Sequence, residues 1–165
     1  MVKGQAQGGT CALPLPLFPT GVMRPRFHPI DGQLYICGMY AWAGNQTQPG
    51  GFYRVRYTGK PADLPVGLKA KSTGVDITFT DKLDAANVAD AKNYEIKVWG
   101  LKRSQEYGSK HIDEKSLTVT KARLLDDGKT VRLDIAKLTP TWGMEIKYRV
   151  KAVDGRAVVD RKSVV

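Results

Sequence analysis

Between residues 75 and 151 apolar and polar residues alternate one for one in five separate runs, and no other feature limits the fold so strongly. Val75, Ile77 and Phe79 alternate with Asp76, Thr78 and Thr80; Tyr94, Ile96 and Val98 with Glu95, Lys97 and Trp99. Leu117 and Val119 alternate with Thr118 and Thr120, and Val131, Leu133 and Ile135 with Arg132 and Asp134. Ile146, Tyr148 and Val150 alternate with Lys147, Arg149 and Lys151. Successive side chains of a strand point to opposite faces, so each run presents one apolar and one polar face. That is what an antiparallel two-sheet sandwich requires. Ser72-Thr73-Gly74, Asp126-Asp127-Gly128 and Asp154-Gly155 supply turns between the runs. Residues 85–92, AANVADAK, form the one helical stretch, about two turns long, with Asp84 placed to cap it.

The first sixty residues have another character. Residues 1–21 are rich in Gly and Pro and read as loop, with a short strand near residues 13–18. Strands follow at 23–28 and 33–39, joined by the turn Pro29-Ile30-Asp31-Gly32. In the second strand Leu34, Ile36 and Gly38 share one face, and Tyr35 and Cys37 the other. A glycine-bordered loop at 40–51 leads to a strand at 52–58. Three short strands of this kind make most of a four-stranded β-propeller blade, with residues 27–61 as its closing part. Part of a blade leaves two faces and its edges uncovered, so this region calls for a partner; the alternative is one more sheet of a compact β protein. Residues 58–65 hold two prolines and a glycine and read as a stiff linker without regular structure. The expectation is an all-β chain: a partial β-propeller blade at 1–60, then an Ig-like antiparallel β-sandwich with one short helix at 61–165.

Charge separates the halves. The chain of 165 residues carries +10, but residues 1–60 hold six basic residues against the single acid Asp31, whereas 61–165 hold twenty against fifteen. The second half is therefore a mixed, solvated surface, and the first could meet an anionic polymer. Nucleic acid is disfavoured because no recognition motif accompanies the charge. Cys11 and Cys37 are too few for a disulfide framework or metal cluster, and their apolar neighbours suggest buried free thiols; a bridge would require export. CALPLPLF is too short and too proline-broken for a signal peptide or a membrane span.

FTDKLDAANVADAKNYEI, residues 79–96, resembles the bacterial Ig-like domains of the S-layer type, with a helical turn after the Asp and an Asn-aromatic pair opening the next strand; Lys82 stands where that family often has proline. DDGKTVRLDI and MEIKYRVKAVDG are similar to the later strands and closing turn of such domains. With GGFYRVRYTGKP and NYEIKVWGLKRSQEYGSKH, residues 20–157 resemble the C-terminal region of large propeller proteins of planctomycetes and verrucomicrobia, themselves similar to quinone-dependent sugar dehydrogenases. The resemblance implies an extracytoplasmic parent, periplasmic or secreted. It brings no catalytic residue, cofactor or metal onto this chain, which lacks a CxxCH haem motif, and the sandwich would be an accessory domain.

Candidate binding residues fall into two groups. Arg24, Arg26 and His28 alternate on one strand and project together, suited to an anion or to pairing across a propeller. Tyr40, Trp42, Asn45 and Gln46 lie on the 40–51 loop, where aromatic rings beside amides suit a sugar, or else pack as an interface. Trp99, Tyr107 and His111 fall in a polar loop, GLKRSQEYGSKH, where His111-x-Asp113-Glu114 is a weak metal pattern. Trp142, after Pro140, is expected to plug the sandwich end. No G-x-S-x-G, phosphate loop or carboxylate pair stands out, so the chain by itself is not expected to be an enzyme. The partners expected are the remainder of a parent propeller or a partner chain, and carbohydrate as the alternative.

Overall fold

The alternating runs become strands that bury their apolar faces against each other. The computed structural model describes residues 8–13, 15, 17–40, 47–106 and 108–159, and all of its sheets are antiparallel. It divides into two compact units, one of Met1–Leu13 with Pro61–Val165 and the other of Pro14–Lys60.

The larger unit is a sandwich of two four-stranded sheets. Its strands are β4 (Pro65–Lys71), β5 (Gly74–Phe79), β6 (Tyr94–Lys102), β7 (Lys110–Leu117), β8 (Val119–Leu124), β9 (Thr130–Ile135), β10 (Gly143–Lys151) and β11 (Ala157–Val159). One sheet has the order β4-β5-β9-β8 and the other β11-β10-β6-β7. Val75, Ile77 and Phe79 from one side meet Tyr94, Ile96, Val98, Ile146, Tyr148 and Val150 from the other, all buried. Phe79 and Tyr148 pack edge to face across the gap, centroids 5.1 Å apart.

The crossover from β5 to β6 is built by residues 80–93. Asp84 caps α1 (Ala85–Val88) by accepting from Asn87 N at 2.7 Å. The helix is one turn, shorter than the sequence suggests, because Asp90 caps a separate 3-10 turn, Ala91–Asn93, by accepting from Lys92 N. Asn93 Nδ2 then donates to Asn87 O at 2.8 Å, and the buried Tyr94 hydroxyl to Val88 O at 3.0 Å. Burial holds the Tyr94 phenol neutral well above its usual range, with Asp90 adding to the effect. Lys82 needs no proline ring to fix its turn: its carbonyl accepts from Val153 N at 3.1 Å, and Leu83 N donates to Gly128 O at 2.9 Å.

Several expectations are corrected. The 58–65 linker is irregular only as far as Leu64, and Pro65 opens β4, an edge strand where its missing N–H does no harm. Ala62 and Asp63 donate backbone N–H groups to the Asp81 carboxylate at 3.2 and 2.9 Å, and Arg156 bridges Asp63 and Asp154. The polar loop at residues 100–111 is shorter than expected, since β6 runs to Lys102, β7 begins at Lys110, and the two strands pair. The run 117–120 is two strands in different sheets, parted at Thr118. Trp142 does not plug the sandwich, being 70% exposed. Residues 8–13 belong with the sandwich, where Cys11 Sγ lies 3.6 Å from Pro65 O, and no strand forms among the described residues of 13–18. The expected burial of the thiols does not hold: Cys11 is half-buried and Cys37 exposed.

The smaller unit is a three-stranded sheet, β1 (Gly21–Phe27), β2 (Leu34–Met39) and β3 (Gly50–Val55), in that order. The turn before β2 closes with Gly32 N donating to His28 O at 2.9 Å, and Gly32 takes φ +65°, which an L side chain would resist.

Candidate functional site

Register decides which side chains of the small sheet stand together. Arg24 pairs with Cys37 and Arg26 with Tyr35, while Tyr35 pairs with Arg54 and Cys37 with Phe52. Cross-strand partners share a face, so Arg24, Arg26, Arg54, Tyr35 and Phe52 stand on one side. The Tyr35 and Phe52 rings stack at 5.8 Å and 27°. The opposite face carries Phe27, Leu34, Ile36, Tyr53 and Val55, and Phe18 packs on Tyr53 at 4.9 Å. Gly38 lies so close to Gly21 and Thr20 that a Cβ there would meet the Gly21 carbonyl oxygen at 2.2 Å.

Arg24 and Arg26 project together as the alternation predicts. His28 lies one residue beyond β1, yet its ring meets Tyr35 at 5.7 Å, so it stays beside the same face. The single acid is engaged locally. Asp31 accepts from Gln33 N at 2.9 Å and from the Tyr35 hydroxyl at 2.9 Å, with His28 Nδ1 at 3.2 Å, and these hold its carboxyl below the ordinary range. Arg24 and Arg26 reach only the backbone carbonyls of Met23 and Pro25, and among the described residues neither they nor Arg54 has an ion pair. The result is a cationic, aromatic sheet face without internal neutralisation.

Tyr40 is exposed, and its N–H donates to Pro49 O at 2.9 Å, closing the base of the loop. Thr47 N and Gln48 N both donate to Pro19 O. Trp42, Asn45 and Gln46 lie outside the described residues, as does Tyr107. Tyr35, Phe52 and Arg54 were missing from the sequence-based set because cross-strand register cannot be read from one strand; the alternation Phe52-x-Arg54-x-Arg56 was the available signal.

In the sandwich unit, Trp99 and His111 come together, rings 4.5 Å apart and nearly parallel at 16°. His111 Nδ1 is 3.9 Å from Glu114, whose carboxylate is bound to Lys97 at 2.8 Å and held low chiefly by that bond. Among the described residues no group of three His, Cys, Asp or Glu side chains is placed to hold a metal ion. A cavity of about 260 Å³ lies between residues 8–11 and β4, floored by Ile77, Ile146 and Tyr148. No helix among the described residues is long and apolar enough to cross a membrane. Comparison with protein-family models, with curated proteins and with solved structures found no match.

Proposed function

We propose that this chain is a non-catalytic interaction module in which the sandwich is the stable body and the β1–β3 sheet is part of a propeller blade, completed by further propeller strands. The observation that carries the reading is the state of the small sheet. Ile36, 4% exposed, is its one fully buried hydrophobic side chain among the described residues, whereas Val22, Phe27, Met39 and Phe52 remain exposed. A single three-stranded sheet whose Arg24–Phe52 face and two edges stay open among the described residues gains little from folding alone. A neighbouring blade supplies the missing cover, and an additional strand supplies the missing pairing. On the family resemblance, the completing strands belong to an exported, oxidoreductase-like propeller protein, in the same polypeptide or a partner chain. Arg24, Arg26 and Arg54, without an ion pair among the described residues, favour a covering surface that carries carboxylates.

Hydrogen exchange on the monomeric chain tests this. Amides of β5, β6, β9 and β10 should exchange slowly, and those of β1–β3 orders of magnitude faster. Protection of β1–β3 equal to that of the sandwich in a confirmed monomer would overturn the reading.

A further inference from the structure

We infer that the end of the sandwich bearing Trp142 and Arg103 binds an acidic sugar ring, a hexuronate within a polysaccharide. This site lies in the sandwich unit and does not depend on what completes the small sheet. An isolated exposed apolar residue is ordinary, so the argument rests on what holds Trp142 and what stands beside it. Trp142 is 70% exposed, one residue before β10. The backbone on each side of it is locked: Thr141 Oγ1 donates to Trp99 O at 2.9 Å, and Gly143 is packed so closely under the Trp99 indole that a Cβ would meet the ring at 2.4 Å. His111, stacked on Trp99, steadies that ring in turn. Trp142 is thus an exposed side chain on a rigid mount, which costs little ordering on binding.

Beside it, the Arg103 guanidinium lies over the Trp142 ring at 5.8 Å. Among the described residues Arg103 has no carboxylate partner. The register pairs of Leu101 with His111 and Lys102 with Lys110 bring further donors to the same sheet end. Of the carboxylates on the flanking segments, Glu106 lies 4.0 Å from Lys110 and Glu114 is engaged by Lys97.

A pyranose has an apolar C–H face that stacks on an indole, and a uronate adds one planar carboxylate at its edge. A guanidinium fork binds that carboxylate bidentately. As the sugar stacks, the guanidinium swings from the indole face to the carboxylate at the ring's edge, so one indole and one guanidinium match one ring and one carboxylate. A neutral sugar offers Arg103 hydroxyl acceptors but no charge to fork, and tracking a nucleic acid strand calls for a run of aromatics and cations.

The test is calorimetric titration of the full chain with oligomers of galacturonate, glucuronate and mannuronate, their methyl esters, and an oligothymidylate. At least one uronate oligomer should bind, and Trp142→Ala should weaken it by about tenfold or more. Arg103→Gln should bring the acid down to the affinity of its methyl ester on the native chain. Both side chains sit at the surface, so the unfolding midpoint should not move. The inference is overturned by no uronate binding at about 1 mM, by binding indifferent to Trp142→Ala, or by tighter oligothymidylate binding with the same dependence on both residues.

Discussion

Asp76→Asn is the sharpest probe of the sandwich, because it removes a charge and almost no volume. Asp76 sits on the outer face of β5, between Lys69 and Arg132 in the register of its neighbours, and is only 7% exposed. Arg132 grips it through both nitrogens of its fork, Nη2 at 2.6 Å and Nε on the other oxygen, and Lys71 Nζ lies at 2.8 Å. An amide offers one acceptor in place of two and turns a donor toward cationic donors. Losing one bond to a charged group costs about 1.5–3 kcal/mol, and weakening the others adds to it. Part of this is offset because the carboxylate no longer has to be desolvated and Lys71 regains water. A net loss of ~2–3 kcal/mol is expected at pH 7, roughly 10 °C in midpoint for a domain of this size. The Arg132 hydrogen bonds, then those of Lys71, hold the folded carboxyl below its ordinary value. A depressed folded pKa contributes stability that is full above the unfolded pKa of about 3.9 and is lost as pH falls through the folded value. The gap between native and variant chains should therefore be constant from neutral pH down to about 4 and close below it. Urea unfolding followed by the fluorescence of the half-buried Trp99 reads both quantities. A deficit under ~0.5 kcal/mol at pH 7, or one that persists undiminished as the native chain loses stability in acid, would refute the reasoning.

Other perturbations test other parts of the framework. Tyr94→Phe leaves the Val88 carbonyl without its 3.0 Å donor and should cost ~1–2 kcal/mol in urea unfolding. Because burial raises the folded pKa of this phenol, its contribution holds below the unfolded value of about 10 and is lost above it. The variant should therefore lose less stability than the native chain as pH rises past 10; an identical alkaline slope would count against the assignment. Gly74→Ala places a Cβ 1.9 Å from the Leu133 carbonyl oxygen, so β5 and β9 must part; a midpoint within 1 °C of the native chain would show the contact to be slack, against an expected loss above ~2 kcal/mol.

How far the sequence could be read depended on where each strand finds its partner. β5, β6, β9 and β10 lie inside their sheets with one face on the core, so their alternation was plain. β7, KHIDEKSL, is an edge strand exposed along nearly its whole length, and its strand state comes from pairing with β6, which no local pattern reveals. β4 begins with a proline and carries Gly67, and both features resemble a linker until the neighbour β5 is known. Trp142 defeats burial reasoning, since its size favours the interior, whereas Thr141 and Gly143 on either side of it are held against Trp99 and it stays exposed. At the small sheet, Arg24 and Arg26 were legible from one strand, while Tyr35, Phe52 and Arg54 joined them only through register.

The ion pairs that join Asp63 to Arg156, and Arg156 to Asp154, have a consequence for how such a domain travels between proteins. Asp63 precedes the first strand of the sandwich and Arg156 lies in the turn before the last, so the segments that enter and close its run of strands are fastened together at one spot. A domain whose two ends meet can be spliced into a loop of another fold, or added beside it, without stretching the host or threading the chain. The same fastening makes the reverse operation costly: cut away the last hairpin, and the segment that leads into the sandwich loses its anchor as well.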